Sequence, residues 1–254
     1  MFQEDVRRFA DTAAAKMHLF NDNLPGYFVA SMLAGLYVGL GACVTFTIQA
    51  LMNGVPGAKV VMGLAFSIAL TLVVIAGAEL FTGNNLVMSL GLSQKTVRLK
   101  DTAKLWIVCW IGNLLGSILC ALLFVGAGAV TGDAQDVFLN VALTKAEMAF
   151  LPLFIRGILC NILVCLAVWG SGRIADGAGK ILFIMLCIAT FIISGFEHSV
   201  ANMTLLSIGL LVNTSGALSF SGVVYNLLVV TFGNMVGGIG LVALPYALIG
   251  RKKS

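Results

Sequence analysis

The chain has 254 residues, of which 59% are hydrophobic and only 10% are charged, and its mean hydropathy is +1.03. Soluble domains carry about 25% charged residues, so this chain is too apolar to cover a water-facing surface and is predicted to be an integral membrane protein. The formal net charge of +4 is spread over short loops, which excludes a basic surface for binding nucleic acid. The basic residues instead indicate the orientation of the chain in the membrane.

The chain begins with an amphipathic pattern. Apolar residues recur at helical spacing from Phe2 to Phe20 with charges between them, which predicts a helix at the membrane surface. We therefore divide the chain into a cytoplasmic amphipathic helix at 1–26, one transmembrane domain at 27–250 and a short basic cytoplasmic tail at 251–254.

Long apolar runs predict membrane-spanning helices rather than the alternating strands of a barrel. Six spans are expected, with approximate bounds at 27–50, 60–93, 104–130, 148–170, 181–213 and 221–248.

The second and fifth spans are too long for single helices, and each contains a polar stretch. These are "AELFTGNN" at 78–85 and "SGFEHSVAN" at 194–202. After the first stretch only 86–94 remains, which reaches about 13 Å as a helix, less than half of a bilayer core. We therefore predict that both helices are broken, with an irregular loop over Glu79–Asn85 in the second and over 194–202 in the fifth.

The third and sixth spans share the motif G-N-x-x-G, in "WIGNLLGS" at 110–117 and "TFGNMVGG" at 231–238. Each motif follows a break that contains a glutamate. The matching order indicates two homologous halves, and an odd number of spans in each half makes the repeat inverted. The expected fold is all-α, six transmembrane helices in an inverted 3+3 repeat, which is typical of transporters and channels with a site near the midplane.

The basic residues favour one orientation. With a cytoplasmic N-terminus, twelve of the fifteen Lys and Arg residues fall on the inside, whereas Lys59 and Lys145 fall on the outside and Arg156 lies within a span. The positive-inside rule therefore predicts that both termini are cytoplasmic.

Ionisable groups within the membrane are costly and are functional candidates. They are Glu79, Glu197, His198 and Arg156. The structural alternative for either glutamate is to accept hydrogen bonds from backbone N–H groups freed at the break, and for His198 it is a neutral core histidine. The position of Arg156 inside the fourth span suggests that its side chain pairs with Glu147, makes a subunit contact or snorkels to the membrane surface.

Enzyme motifs are missing from the sequence: there is no P-loop, no G-x-G-x-x-G and no cysteine–histidine metal cluster. The neighbours Glu197 and His198 could form an acid–base pair, but no nucleophile motif or cofactor box accompanies them. We therefore expect a transport protein and not an enzyme, with no cofactor and no metal.

At these residues the chain resembles the formate/nitrite transporter family, which includes formate, nitrite and hydrosulfide channels. The resemblance rests on "AGAELFTGNN" at 76–85, "SGFEHSVANMT" at 194–204, "CNILVCLAVW" at 160–169 and the two G-N-x-x-G motifs. It covers nearly the whole chain and is closest to the nitrite-channel branch.

The resemblance implies a homopentamer in the bacterial inner membrane, with an aquaporin-like arrangement of helices and a pore through each protomer. His198 would be the central pore histidine, Glu197 would hold the local structure, and Thr82 would face His198. The N-terminal helix would be a candidate gate. The remaining implied residues are Lys145 as an anion-attracting residue near the outer vestibule, Asn161 and Asn234 as supports of the central chamber, Phe66 and Phe191 as the outer constriction, and Leu70, Leu80 and Phe81 as the inner constriction.

A bare anion loses its hydration in a ring of Leu and Phe, so its crossing is costly unless it gains a proton. Nitrite, formate and hydrosulfide are small weak-acid anions, and an imidazole with an ordinary pKa of about 6.5 could lend or stabilise such a proton. The predicted function is a pH-dependent channel for small monovalent anions, nitrite or formate, with hydrosulfide as the alternative within the family. The expected partners are these anions and the lipid bilayer, and not nucleic acid.

Two other classes stay open. One is an aquaporin-like pore for neutral solutes or ammonia, although the sequence lacks paired Asn-Pro-Ala breaks and an aromatic path with paired histidines. The other is a membrane scaffold, in which the intramembrane Glu and His would have no function.

Overall fold

The computed structural model describes residues 2–251, which form ten helices connected by short segments. Of the predicted tail at 251–254, residues 252–254 lie outside the described residues. The helices are α1 (Phe2–Asp22), α2 (Leu24–Leu51), α3 (Ala58–Gly77), α4 (Phe81–Ser93), α5 (Leu99–Gly126), α6 (Asp133–Ala146), α7 (Phe150–Arg173), α8 (Gly177–Ile193), α9 (Ser199–Leu211) and α10 (Phe220–Ile249).

Two of these helices contain a wider turn. α3 joins Ala58–Phe66 and Ile68–Leu72 to a π-helical turn at Val73–Gly77. α10 has a π-helical segment at Val236–Ala243 between two α-helical parts. Such π segments locally shift the face that a helix presents, and they are frequent near functional sites.

The spans make this a multi-pass, all-α membrane protein. Within residues 2–251, five helices are long and apolar enough to cross a bilayer: α2, α3, α5, α7 and α10. The predicted span at 181–213 is instead two shorter apolar helices, α8 and α9. The third span ends at Gly126, earlier than the predicted 130, and the fourth continues to Arg173 rather than 170.

The two irregular stretches are shorter than predicted. The first covers only 78–80, so most of the predicted loop Glu79–Asn85 is already the first turns of α4. The second covers 194–198 rather than 194–202. Helix resumes early because an asparagine from another helix accepts a hydrogen bond near the start of each new helix, as described below.

One helix was not predicted. α6 occupies most of the segment between the third and fourth spans, for which the hydropathy pattern predicts a loop. Phe138, Ala142 and Ala146 recur every four residues on its buried face, which is the spacing of one face of a helix. Lys145 lies in the last turn of this helix.

Helix α1 buries its apolar face against protein rather than lipid alone. Val6, Phe9, Ala13 and Met17 are buried, and α1 packs on α4. The Phe9 ring of α1 also stacks on Trp169 of α7, with centroids 5.0 Å apart. The amphipathic helix is therefore part of the folded body.

Both ends of the described chain lie on one face. The rings of Phe2 in α1 and Tyr246 in α10 have centroids 6.0 Å apart. A Cβ added at Gly250 would lie 2.8 Å from Cγ2 of Val6. We call this the α1 face, and the opposite side the α6 face.

The motif glycines permit the closest helix contacts. A Cβ at Gly116 of α5 would lie 1.9 Å from the carbonyl oxygen of Met32 in α2, and one at Gly237 of α10 would lie 2.2 Å from that of Ile158 in α7. Only glycine allows two helix backbones to approach so closely. The G-N-x-x-G motifs thus pack α5 on α2 and α10 on α7.

Candidate functional site

The first irregular stretch is held by a cluster around Glu79. The Lys16 ammonium lies 2.5 Å from Glu79 Oε1, and Asn84 Nδ2 donates to Oε2 at 2.9 Å. Asn113 Nδ2 donates to the Glu79 carbonyl at 2.9 Å, while its Oδ1 accepts from the backbone N–H of Phe81 at 2.9 Å. Backbone groups freed by the interruption are thereby satisfied inside the membrane domain. We call Glu79, Lys16, Asn84 and Asn113 the Glu79 cluster.

The second stretch is held in the same manner around Glu197. The Lys145 ammonium lies 2.7 Å from both carboxylate oxygens, and Asn202 Nδ2 donates to Oε2 at 2.7 Å. Asn234 Nδ2 donates to the Glu197 carbonyl at 2.9 Å, and its Oδ1 accepts from the backbone N–H of Ser199 at 2.9 Å. Glu197, Lys145, Asn202 and Asn234 form the Glu197 cluster.

The two clusters correspond position by position. In each cluster, an asparagine five residues after the glutamate donates to its carboxylate. The asparagine of the G-N-x-x-G motif accepts from the backbone N–H of the residue two positions after the glutamate. Gly77 and Gly195, two residues before the glutamates, both have a positive φ, +86° and +70°. The backbone N–H groups of the glutamates donate to the carbonyls of Ala30 and Arg156, at 3.1 and 3.2 Å.

The position after the glutamate is where the two stretches differ in chemistry. It is Leu80 in the first and His198 in the second. The interruptions are thus alike in their scaffold, and only the second presents an ionisable side chain from this position.

His198 and Thr82 meet in the interior. His198 Nε2 lies 2.9 Å from Thr82 Oγ1, and the two residues are 4% and 0% exposed. His198 Nδ1 accepts a hydrogen bond from the backbone N–H of Ala201 at 3.2 Å. Because that backbone group can only donate, Nδ1 carries no proton, and in a neutral ring the proton is on Nε2. His198 therefore presents an N–H donor toward Thr82.

A cavity of about 440 Å³ opens toward the α6 face. We call it the Lys145 cavity, since Lys145 and Glu197 lie in its wall together with Lys59, Arg156 and Gln49. A second cavity of about 530 Å³, the Lys16 cavity, is lined by Lys16, Glu79, Leu70, Leu80, Ala30 and Ser171 among others.

The two cavities lie toward opposite ends of the same helices. On α2, Ala30 lines the Lys16 cavity and Gln49 the Lys145 cavity, a separation of about 28 Å along a helix. On α7, Ser171 lines the Lys16 cavity and Arg156 lines the Lys145 cavity. The pair of cavities thus approaches the middle of the protein from both faces.

Between them lies a buried aromatic layer. The rings of Phe66 and Phe191 meet edge to face with centroids 5.5 Å apart, and both residues are almost fully buried. The Phe191 ring also stacks on the His198 ring, with centroids 6.0 Å apart. Phe66 sits one helical turn from Met62, which lines the Lys145 cavity, and one turn from Leu70, which lines the Lys16 cavity.

The other residues suggested by the sequence fall into separate places. Asn161 is fully buried and donates to the carbonyl of Asn234 at 2.7 Å and to Asn85 Oδ1 at 3.0 Å, so it ties α7 to α10 and α4. Leu70 and Leu80 line the Lys16 cavity together, whereas Phe81 lines a lateral apolar cavity beside Trp106 and Trp110.

Arg156 does not pair with Glu147 among the ion pairs of residues 2–251, so the pairing considered from the sequence is wrong. Its side chain is exposed and lines the Lys145 cavity, while its backbone carbonyl holds the Glu197 loop.

Sequence reasoning missed Lys16, Asn84, Asn113 and Asn202 as members of the site. The signal was present, because an asparagine follows each glutamate at the same distance and Asn113 occupies the same motif position as Asn234. Within residues 2–251, no group of three or more His, Cys, Asp or Glu side chains could hold a metal ion.

The sequence profile described as Formate/nitrite transporter matches residues 3–248. The chain belongs to the formate/nitrite transporter family. It is therefore a transport protein rather than an enzyme, and the resemblance found in the motifs is confirmed.

Individual family members show how far the similarity extends. The chain is 41% identical to the nitrite transporter NirC of Salmonella typhimurium, over 97% of this chain and 91% of that protein. It is 38% identical to a probable formate transporter of Methanothermobacter thermautotrophicus, over 86% of each.

Solved family structures share the fold. A channel described as an FNT family ion channel superposes with a TM-score of 0.93 at 40% identity, covering 97% of this chain and 98% of that one. A pentameric formate channel with formate bound gives a TM-score of 0.78 at 31% identity, covering 88% of this chain and 96% of that one.

Proposed function

We propose that this protein is a pH-dependent channel for small monovalent weak-acid anions, with nitrite as the first substrate and formate as the second. The observation that carries the proposal is the buried His198–Thr82 pair at the end of an aromatic layer between two cavities. The similarity to a nitrite transporter and to formate channels supports this choice of substrates.

The apolar layer sets the chemistry of crossing. An anion that leaves the Lys145 cavity meets Phe66 and Phe191, which offer no hydrogen bond and little room for water. Loss of hydration penalises the charged form and raises the pKa of a weak acid, so nitrite or formate takes a proton from the water of the Lys145 cavity as it enters the layer. The neutral acid then passes, and it ionises again in the second cavity.

His198 aids this protonation as a neutral hydrogen-bond donor. Its Nδ1 is occupied by the Ala201 N–H, so a second proton on that nitrogen would break the cap of α9 and place a cation at a helix N-terminus. Its Nε2–H can donate to the anion in place of Thr82 Oγ1, at the cost of one hydrogen bond. The imidazole thus holds the anion in the apolar layer while the anion takes up its proton.

The remaining residues complete the path. We assign Phe66 and Phe191 to the constriction on the Lys145 side, and Leu70 and Leu80 to that on the Lys16 side, with Phe81 behind them. Asn161 and Asn234 support the chamber through α7 and α10, and Glu197 holds the loop that carries His198, with Lys145 as its partner in the vestibule.

We further propose six crossings in an inverted 3+3 repeat, in which 78–80 and 194–198 interrupt the second and fifth. The matching Glu79 and Glu197 clusters support the repeat. Both ends of residues 2–251 lie on the α1 face, which supports an even number of crossings. The positive-inside rule supports a cytoplasmic location of the α1 face.

The assembly state and the membrane are proposed from the similarity to family members. We propose a homopentamer in the bacterial inner membrane, as one similar structure is a pentameric formate channel. Residues 1–26 are the candidate gate on the cytoplasmic face, 27–250 form the channel domain, and 251–254 are a basic tail.

The test is a flux panel with the purified full-length protein in liposomes. Nitrite and formate uptake should exceed that of empty liposomes and should fall to their level in His198→Phe. Uptake of hydrosulfide alone would move the substrate to that branch, and full nitrite flux in His198→Phe would remove the histidine from the mechanism.

A further inference from the structure

We propose that Arg156 and Lys59, rather than Lys145, supply the positive charge that recruits the anion at the α6 face. The inference rests on the proposed function, because it concerns how the substrate of that channel reaches the pathway. It is carried by the way in which charge is distributed within the Lys145 cavity.

Lys145 is already neutralised. Its ammonium contacts both oxygens of Glu197 at 2.7 Å, and the side chains of the pair are only 14% and 3% exposed. Its position is also fixed from behind, since the Lys145 carbonyl accepts from Asn226 Nδ2 at 2.9 Å. An ammonium so engaged contributes little net field to the cavity and would have to release a buried carboxylate to bind an incoming anion.

Arg156 and Lys59 have no such partner. Both side chains are exposed and both line the same cavity, and neither forms an ion pair with a carboxylate in residues 2–251. Among the described residues that line the cavity, Glu197 is the only acidic one, and Lys145 balances it. The net charge of the wall is therefore +2, from Arg156 and Lys59.

The two residues are placed to guide the anion inward. Arg156 lies on α7, and its own carbonyl accepts from the backbone N–H of Glu197, the residue before His198. Lys59 lies at the start of α3, two turns from Phe66 in the aromatic layer. A cavity of one sign of charge raises the local concentration of small anions, and this effect weakens as salt screens the field.

The exposure of Arg156 and Lys59 also explains why the recruiting site would not trap its substrate. Exposed cations hold a monovalent anion weakly in water. The anion is concentrated at the mouth but is free to move on to the apolar layer.

The experiment compares wild type with Arg156→Gln, Lys59→Gln and the double variant in proteoliposomes. Arg156→Lys is the matched control, since it keeps the charge, and Lys100→Gln removes an exposed charge that lines none of the cavities described above. Initial nitrite uptake is measured against concentration at low ionic strength and again in concentrated potassium gluconate. Size-exclusion profiles report whether each variant still assembles.

In the double variant the half-saturating nitrite concentration should rise by about threefold or more at low salt, with the maximal flux unchanged, and the difference should vanish at high salt. Lys59→Gln alone should show a smaller rise, so the proposal remains testable if Arg156→Gln does not fold. Arg156→Lys and Lys100→Gln should match wild type.

Wild-type half-saturation in Lys59→Gln and in the double variant at low salt would overturn the proposal while leaving the channel function intact. A loss of maximal flux with altered assembly would instead make Arg156 a subunit contact and would also overturn it. Failure of the proposed function has a different signature, since wild type itself would then carry no nitrite or formate.

Discussion

The Nδ1 atom of His198 accepts a hydrogen bond from the backbone N–H of Ala201, 3.2 Å away, so the histidine is the N-cap of the helix that follows it. This one contact assigns the proton of the neutral ring to Nε2, which faces Thr82 at 2.9 Å. The imidazole is therefore better suited to hydrogen-bond the anion through Nε2–H than to transfer a proton to it, because Nδ1 must stay unprotonated to cap the helix.

The first prediction concerns the side chain itself. Asparagine is a favoured N-cap, so in His198→Asn its Oδ1 can accept from Ala201 while its Nδ2 donates toward the path. We expect this variant to retain nitrite flux that increases with acidity as in wild type. In His198→Phe the cap and the donor are both lost, and flux should fall to background.

Stopped-flow measurement of uptake from neutral to mildly acidic pH distinguishes these outcomes. The sign follows from the substrate, because a lower pH increases the fraction of anion that can cross as the neutral acid. A flat pH profile in His198→Asn would show that the imidazole proton is the one transferred.

The second prediction concerns the buried ion pair. In Lys145→Met the carboxylate of Glu197 is left unpaired, and unfolding should become easier by about 3–5 kcal/mol. Adding Glu197→Gln removes that charge, so the double variant should be more stable than Lys145→Met alone.

Thermal unfolding of the detergent-solubilised protein checks this order. The pair of Arg8 and Asp5 is the control, because the Arg8 side chain is 52% exposed and Asp5 keeps Arg173 as a second partner at 2.9 Å, so Arg8→Ala should cost less than about 1 kcal/mol. If the double variant were less stable than Lys145→Met, the pair would not act as a unit.

The third prediction concerns the motif asparagines. Asn234→Ala leaves the Ser199 N–H and the carbonyls of Gly157 and Glu197 without their partner. We expect a loss of about 3 kcal/mol, because buried polar groups without partners are costly. Asn113→Ala should cost a similar amount, since its contacts at the other stretch are equivalent.

Nitrite flux should differ between Asn234→Ala and Asn113→Ala. Asn234 orders the loop that carries His198, so residual flux in Asn234→Ala should fall further than in Asn113→Ala at equal amounts of folded protein. Equal flux in both variants would contradict the assignment of the second stretch to the chemistry.

The fourth prediction concerns the helix contact at the first motif. In Gly116→Ala the new Cβ would overlap the carbonyl oxygen of Met32, so α5 and α2 must separate. We expect destabilisation of about 1–3 kcal/mol and a lower yield of folded protein.

Gly126→Ala is its control within the same helix, because an added Cβ there meets nothing within 4 Å. Its unfolding temperature should stay close to that of wild type. A similar loss in both variants would attribute the effect to glycine in the helix rather than to the contact.

The sequence predicted the membrane class and the family because both depend on local signals. Charge-free runs identify spans one at a time, and the residues around Glu79 and Glu197 form short motifs. An interruption at each glutamate is predicted from a polar stretch inside a span too long for one helix, and at Glu79 also from the remaining segment, which is too short to cross a bilayer.

The extent of the interruptions and the unpredicted helix depend on distant contacts. Phe81 is capped by Asn113 and Ser199 by Asn234, each more than thirty residues later, so nothing local marks where helix resumes. Helix α6 has few strongly apolar positions, and its buried face is complete only when Phe138 meets Phe46 and Phe124. The pairing of Lys16 with Glu79 joins residues 63 positions apart and becomes predictable only by analogy with Lys145 and Glu197.

The proposed channel function is tested by solute flux through wild-type protein in liposomes, with nitrite, formate, glycerol and methylammonium compared in one preparation. We predict nitrite and formate flux that increases as the medium is acidified, and no swelling with glycerol or methylammonium above empty liposomes. Conduction of glycerol or methylammonium without nitrite or formate flux would contradict it.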